Sequence, residues 1–178
     1  MKGDEGGCVV GVGLLGGYGG EMDTGEFLDV LILRDPKESK AKCSLTPLRG
    51  MDGVRFVEYN AQRQVQVGKR VLLHAEGPVM SPLDLEEAQD GLLLIDCSWR
   101  RVSKLMRTVE GETVARRLPP LKTAYPRKSR TFVDPEEGLA SVEALVAALS
   151  LLGKPRPEFL DAYRWRERFF ELNPGLFD

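Results

Sequence analysis

The chain has 178 residues, 42% hydrophobic and 29% charged, which suits a single globular domain with a sizeable buried core. A formal net charge of −2 argues against a general nucleic-acid coat protein. Three cysteines (Cys8, Cys43, Cys97) without a C-x-x-C pair point to a reducing compartment and away from structural zinc, and His74, the only histidine, leaves no two-histidine or His-rich metal chemistry.

Residues 1 to 26 are glycine-rich and unpatterned, and read as a disordered extension, with Met22 a candidate start of translation. Gly11-Val12-Gly13-Leu14-Leu15-Gly16 matches G-x-G-x-x-G formally, but Gly17-Tyr18-Gly19-Gly20 follows where a dinucleotide fold needs a helix. Cys8 to Leu15 imitates a signal-peptide core, yet net-acidic residues precede it and no small-residue cleavage site follows. The apolar windows are too short for a membrane span, so the expected location is the cytoplasm.

Residues 27 to 178 read as one domain. Phe27 to Leu33 is the first strand, closed by the turn signal Arg34-Asp35-Pro36-Lys37. Lys40 to Leu48 is a loop or short helix, and Val54 to Tyr59 and Val71 to His74 are further strands. Ser81-Pro82 starts a short helix that runs to Gln89. Gly91 to Asp96 is a short buried strand, and a helix is predicted from Ser98 to about Thr108. The proline-rich stretch Arg117 to Pro126 is an irregular loop lining something. Asp134-Pro135-Glu136-Glu137 opens the next helix, whose segment Leu139 to Leu152 is apolar on nearly every face and therefore buried. Pro157 to Leu172 is a terminal amphipathic helix with Leu160, Tyr163 and Phe170 inward. Strands alternating with helices predict an α/β fold on a mainly parallel sheet.

The most informative segment is the end of the strand at Gly91, where Asp96-Cys97-Ser98-Trp99 follows directly. In open α/β sheets ligands bind at the carboxyl ends of strands, where the connecting loops leave a crevice. Two readings stand: Asp96, Ser98 and Trp99 belong to a site, or Asp96 and Ser98 cap the next helix while Trp99 packs into the core. Immediately after Trp99 the chain turns basic. Ten cations and two anions between Arg100 and Arg130 give a local +8 in a chain that is acidic elsewhere. A helix from Ser98 would place Arg100, Lys104 and Arg107 on one face, suited to a phosphate backbone, although a solvated charged surface explains the same pattern.

Four pieces in this order resemble one enzyme family: Asp35-Pro36-Lys37 with Cys43-Ser44-Leu45-Thr46-Pro47-Leu48; Leu94-Ile95-Asp96-Cys97-Ser98-Trp99; Leu118-Pro119-Pro120-Leu121 with Ala124-Tyr125-Pro126; and Leu139-Ala140-Ser141-Val142-Glu143-Ala144-Leu145. Together they are similar to the aminocarboxypropyltransferases that modify a uridine of small-subunit ribosomal RNA during ribosome maturation. The D-x-S/T-W element is shared with DTW-domain transferases acting on tRNA uridine. The resemblance covers residues 27 to 172. It departs from the family where the usual D-P-K-x-C-T-G is here Asp35-Pro36-Lys37-Glu38-Ser39-Lys40-Ala41, and where the usual A-N-P-V-N-Y-G is here Ala124-Tyr125-Pro126-Arg127-Lys128-Ser129.

The resemblance implies a SPOUT-like α/β fold with a trefoil knot in the C-terminal half, which binds S-adenosylmethionine and moves its 3-amino-3-carboxypropyl group to a pyrimidine N3. It implies a monomer acting on rRNA or a pre-ribosomal small subunit, with tRNA as the alternative target. By residue match Trp99 would pack against the methyl and sulfonium, since an indole face attracts cations within about 6 Å. Leu118 would line the cofactor site. Ser44, Thr46 or Ser141 would hold the amino-acid carboxylate, and Asp96 would accept the N3 proton or orient the base. For each hydroxyl a helix cap or turn bond is an equally good reading. Arg100, Lys104, Arg107, Arg127, Lys128 and Arg130 would meet RNA. A methyltransferase using the same cofactor, or a non-catalytic RNA-binding assembly factor, are the rival functions.

Overall fold

A computed structural model of the chain describes residues 27–39, 43–126 and 138–177. Five strands form one all-parallel sheet: β1 (Val30–Arg34), β2 (Val54–Glu58), β3 (Val65–Leu73), β4 (Leu92–Asp96) and β5 (Val109–Arg116), in the spatial order β2-β1-β4-β3-β5. The α/β expectation with a parallel sheet holds. From β1 the chain moves outward to β2, and from β4 it moves the other way to β5. The carboxyl ends of β1 and β4 therefore flank the point where connections diverge, where such sheets open a crevice.

Period-two alternation divides the central strands between two cores. Val30, Ile32, Leu92 and Leu94 face helix α2 (Ser141–Leu151) and the C-terminal residues Phe159, Leu160 and Phe169. Leu31, Leu33 and Leu93 face Leu105 of the short helix α1 (Val102–Met106). The apolar segment Leu139 to Leu152 reads correctly as a buried helix: seven of the eleven residues of α2 are buried, including Glu143. A register shift between Gln66 and Gly68 flips the face of β3, so Val65 and Val67 share a core with Leu72 rather than Val71. Gly91, at φ +108°, enters β4 so close to the Asp29 carbonyl that any Cβ would collide with it.

Several boundaries are corrected. β1 begins at Val30, leaving Phe27 42% exposed beneath the Arg156 guanidinium, 3.9 Å from the ring centroid. β2 ends at Glu58, β3 starts six residues before Val71, and β4 runs from Leu92 to Asp96 rather than from Gly91. β5 was not anticipated; it pairs along the whole of β3. Pro82–Glu87 is a 3-10 turn, closed by a reciprocal Ser81–Asp84 capping box, rather than a helix to Gln89. The predicted helix from Ser98 to Thr108 is a 3-10 turn, Trp99–Arg101, followed by the five residues of α1. The chain passes at once into β5, and the Thr108 carbonyl accepts from Val65 N at 2.7 Å where the β3–β5 ladder begins.

The terminal helix is likewise broken into a 3-10 turn, Pro157–Leu160, and helix α3 (Arg166–Leu172). Between them Tyr163 turns inward and donates its hydroxyl to Glu143 Oε1 at 3.0 Å. Leu160 and Tyr163 are buried as predicted, but the fully buried residue of α3 is Phe169, with Phe170 only partly covered. The extension 1–26, with its glycine motif and Met22, and the helix start at Asp134 to Glu137 lie outside the described residues. Among the described residues no helix is long and apolar enough to cross a membrane.

Candidate active site

Strand register sets the floor of the site. β1 and β4 pair so that Arg34 lies opposite Asp96, both at carboxyl ends. Arg34 is wholly buried and Asp96 is 7% exposed; Arg34 Nε lies 3.7 Å from Asp96 Oδ2. Asp96 also accepts from Cys43 Sγ at 3.2 Å on Oδ2 and from Ser141 Oγ at 3.5 Å on Oδ1. Next to it, the fully buried carboxylate of Asp35 is ion-paired with Arg101 and accepts from Lys37 N at 3.1 Å. Two carboxylates and two guanidiniums thus occupy the point where the connections diverge. Burying such charges is tolerable because each has an opposite partner within reach.

Both thiols here are held protonated. Burial, reinforced by the charge of Asp96, pushes the Cys43 thiol up. Burial, with Asp35, Glu38 and Asp96 nearby, pushes Cys97 up to about 12. A thiol needs to be a thiolate to act as a nucleophile, so this environment disfavours covalent cysteine chemistry.

Above this floor a cavity of about 550 Å³ opens across the carboxyl ends of β3, β4 and β5, within the size range of small-molecule sites. Leu94, Ile95 and Cys97 form its base, and Arg117 to Leu121 form one wall. Leu139, Ser141 and Ala144, at the start of α2, close the other side. Its lining is mainly apolar, with backbone of irregular segments on two sides, and suits a flat heteroaromatic ring.

The 3-10 turn after β4 carries Trp99 to the cavity, where its indole is 64% exposed. The core-packing reading of Trp99 is therefore wrong. The capping reading of Asp96 and Ser98 fails too, since neither the turn at Trp99 nor α1 has a side-chain cap bond and the Asp96 oxygens are engaged elsewhere.

Of the residues predicted to hold the cofactor, Trp99, Leu118 and Ser141 line this cavity. Asp96 lies just beneath, between the lining residues Ile95 and Cys97, and is joined to the cavity wall by Ser141. Ser44 and Thr46 stand behind the wall. Ser44 Oγ accepts from Val142 N at 3.2 Å in the first turn of α2, and Thr46 Oγ1 accepts from Arg34 Nη1 at 3.4 Å. Arg100, Lys104 and Arg107 are all exposed on the segment leaving the mouth, but a 3-10 turn and a short helix carry them instead of one continuous helical face. Arg127, Lys128 and Arg130 lie outside the described residues.

Sequence reasoning missed Arg34, Cys43 and Arg101 as partners of the buried carboxylates. The available signal was an Arg-Asp pair directly after an unbroken apolar strand, which reads locally as a turn. It also passed over His74 and Arg117, which line the cavity; His74 Nδ1 accepts from Glu76 N at 3.2 Å.

A family model described as "Ribosome biogenesis protein, C-terminal" matches residues 71–178. The 16S rRNA aminocarboxypropyltransferase of Halobacterium salinarum is 32% identical over 134 residues, 74% of this chain and 74% of that protein. Its namesake from Vulcanisaeta distributa is 36% identical over 98 residues, 53% of this chain and 51% of that protein. The chain spans about half the length of several curated relatives it matches. Among solved structures, the SAM-dependent rRNA:acp-transferase Tsr3 from Vulcanisaeta distributa superposes with a TM-score of 0.63 at 28% identity, covering 83% of this chain and 79% of that one.

Proposed function

This chain belongs to the ribosome-biogenesis family of rRNA aminocarboxypropyltransferase-like proteins, and from that premise we propose that it transfers a 3-amino-3-carboxypropyl group from S-adenosylmethionine to a pyrimidine N3 of small-subunit ribosomal RNA. One observation carries the reading: an exposed Trp99 at a largely apolar cavity, with the carboxylate of Asp96 just beneath its base and joined to its wall by Ser141. The names of the relatives favour rRNA over tRNA as the target. The proposal includes action as a monomer in the cytoplasm. It also includes a SPOUT-like knotted C-terminal half, supported by the all-parallel sheet and by the return of the chain after β5 to the end of β4, where Ser141 meets Asp96.

The cavity fits the cofactor by its size, its apolar walls at Leu118 and Leu121, and an aromatic face for a cation. When bound, S-adenosylmethionine supplies an electrophilic carbon of the aminocarboxypropyl chain next to a sulfonium. Trp99 holds the cationic end and blocks approach to the methyl, so that position decides which carbon the nucleophile meets. Of the three candidate hydroxyls for the amino-acid carboxylate, Ser141 is the one that lines the cavity, while Ser44, accepting from Val142 N, and Thr46, accepting from Arg34, support the wall from behind. Asp96 takes the N3 proton or orients the base, with the Ser141 hydroxyl as its contact with the cavity. Arg100, Lys104 and Arg107, with Arg127, Lys128 and Arg130, supply the cationic approach for the phosphate backbone.

The test is transfer of label. S-adenosylmethionine labelled in the aminocarboxypropyl chain should transfer its label to small-subunit rRNA, and methyl-labelled cofactor should not. Transfer of the methyl label instead would make the protein a methyltransferase. Retention of both labels by the cofactor, with RNA still bound, would make it a binding factor.

A further inference from the structure

We propose that the groove next to the cavity, walled by Lys122, Tyr125 and Arg168, is a second RNA subsite, stacking an unpaired base beside the modified nucleotide and holding its phosphate. The inference rests on the RNA-transferase reading above and deepens it. The groove encloses about 710 Å³ between the loop Pro120–Pro126 and α3, where Arg168 and Leu172 line it. Pro120 and Leu121 line both the groove and the cavity, so the two lie side by side along the same loop.

Tyr125 is the platform. Its ring meets Trp165 edge to face, 5.1 Å between centroids at 79°, yet the residue remains 41% exposed. The loop that carries it is clamped from two directions. Glu143, wholly buried, accepts from Thr123 Oγ1 at 2.7 Å and from Ala124 N at 2.8 Å, and Thr123 Oγ1 in turn accepts from Tyr125 N at 3.0 Å. Asn173 closes the other side, accepting from Lys122 N and donating to Lys122 O, both at 2.9 Å. An aromatic ring fixed beforehand loses little freedom when a base stacks on it, and stacking tolerates any base.

Charge selects the occupant. The charged residues lining the groove are Lys122 and Arg168. The neighbouring acid is Glu171, 3.1 Å from Arg168, but both side chains are more than 60% exposed, and so open a pair exchanges readily for phosphate. An aromatic platform flanked by two cations and lying beside the catalytic cavity is the composition of a single-stranded nucleic-acid groove rather than of a peptide site.

The experiment uses the full chain and a 5′-labelled oligouridylate followed by fluorescence anisotropy, with cofactor affinity measured in parallel by calorimetry. Tyr125→Ala should weaken oligouridylate binding roughly fivefold or more, and Tyr125→Phe should retain it. Lys122→Glu and Arg168→Glu should each weaken binding and reduce the logarithmic salt slope by about one. S-adenosylmethionine affinity should stay unchanged in all four. Wild-type affinity in Tyr125→Ala, or a wild-type chain that does not bind the oligouridylate, would overturn the subsite. A wild-type chain that binds RNA through Tyr125 but transfers no label would end the transferase reading and leave the groove standing.

Discussion

Arg34 and Asp96 face each other in register at the carboxyl ends of neighbouring parallel strands, the guanidinium Nε 3.7 Å from the carboxylate. Because both are buried, the pair is a joint commitment: each charge is tolerable only while the other is present. The same carboxylate is reached by Cys43 from the loop after β1 and by Ser141 from α2. Asp96 thereby ties three segments, far apart in the chain, to one point beneath the cavity.

Removing one partner of the pair should be costly. Arg34→Met leaves Asp96 as an uncompensated buried charge and should destabilise the fold by about 3–5 kcal/mol in urea unfolding. Adding Asp96→Asn to the Arg34→Met background should recover part of that loss. Strictly additive losses in the double-mutant cycle would show that the two groups do not interact.

The raised Cys97 thiol sets an alkaline limit. Below pH 9, the ordinary value, folded and unfolded chains are both protonated there and Cys97 adds no pH dependence. Between pH 9 and about 12 the unfolded chain loses the proton while the folded chain keeps it, so stability falls as pH rises. Cys97→Ala should flatten part of that decline in a series of urea unfolding curves, and an unchanged slope would contradict the burial assigned to this thiol.

Trp99 separates packing from binding. With its indole 64% exposed, Trp99→Phe should leave the melting temperature within a few degrees of wild type. Cofactor affinity by calorimetry should fall by about 1 kcal/mol, the scale of a partly desolvated cation–π contact. A large loss of stability at constant cofactor affinity would contradict the placement of this residue at the cavity mouth.

The parallel α/β frame was legible because the central strands open with the apolar runs Val30 to Leu33 and Leu92 to Ile95, largely buried on both faces, before each ends in a charge. β5 was not, since Glu110, Gly111 and Glu112 interrupt it and its sheet partner β3 changes register opposite that glycine. The first half of β3 did carry a signal, Val65 and Val67 buried between exposed Gln66 and Gly68, and it was passed over in favour of the apolar run at Val71. At the site, Trp99, Leu118 and Ser141 were recoverable from motif order, and the structure brings all three to one cavity. The ion network was not recoverable. Arg34–Asp96 depends on strand register, and Arg101–Asp35 joins groups 66 residues apart. Glu143 looked like one more helix acid, and only the folding back of Thr123, Ala124 and Tyr163 onto it makes it a buried acceptor.

The most direct test of the site at the end of β4 is the single-turnover rate of aminocarboxypropyl transfer to small-subunit rRNA by Asp96→Asn, on protein shown by calorimetry to bind S-adenosylmethionine. The substitution keeps the side-chain volume and removes the charge. A fall of about 10²-fold or more, with cofactor affinity close to wild type, is the predicted result for a positioned base. Full transfer activity in Asp96→Asn would contradict it and reduce Asp96 to the structural partner of Arg34.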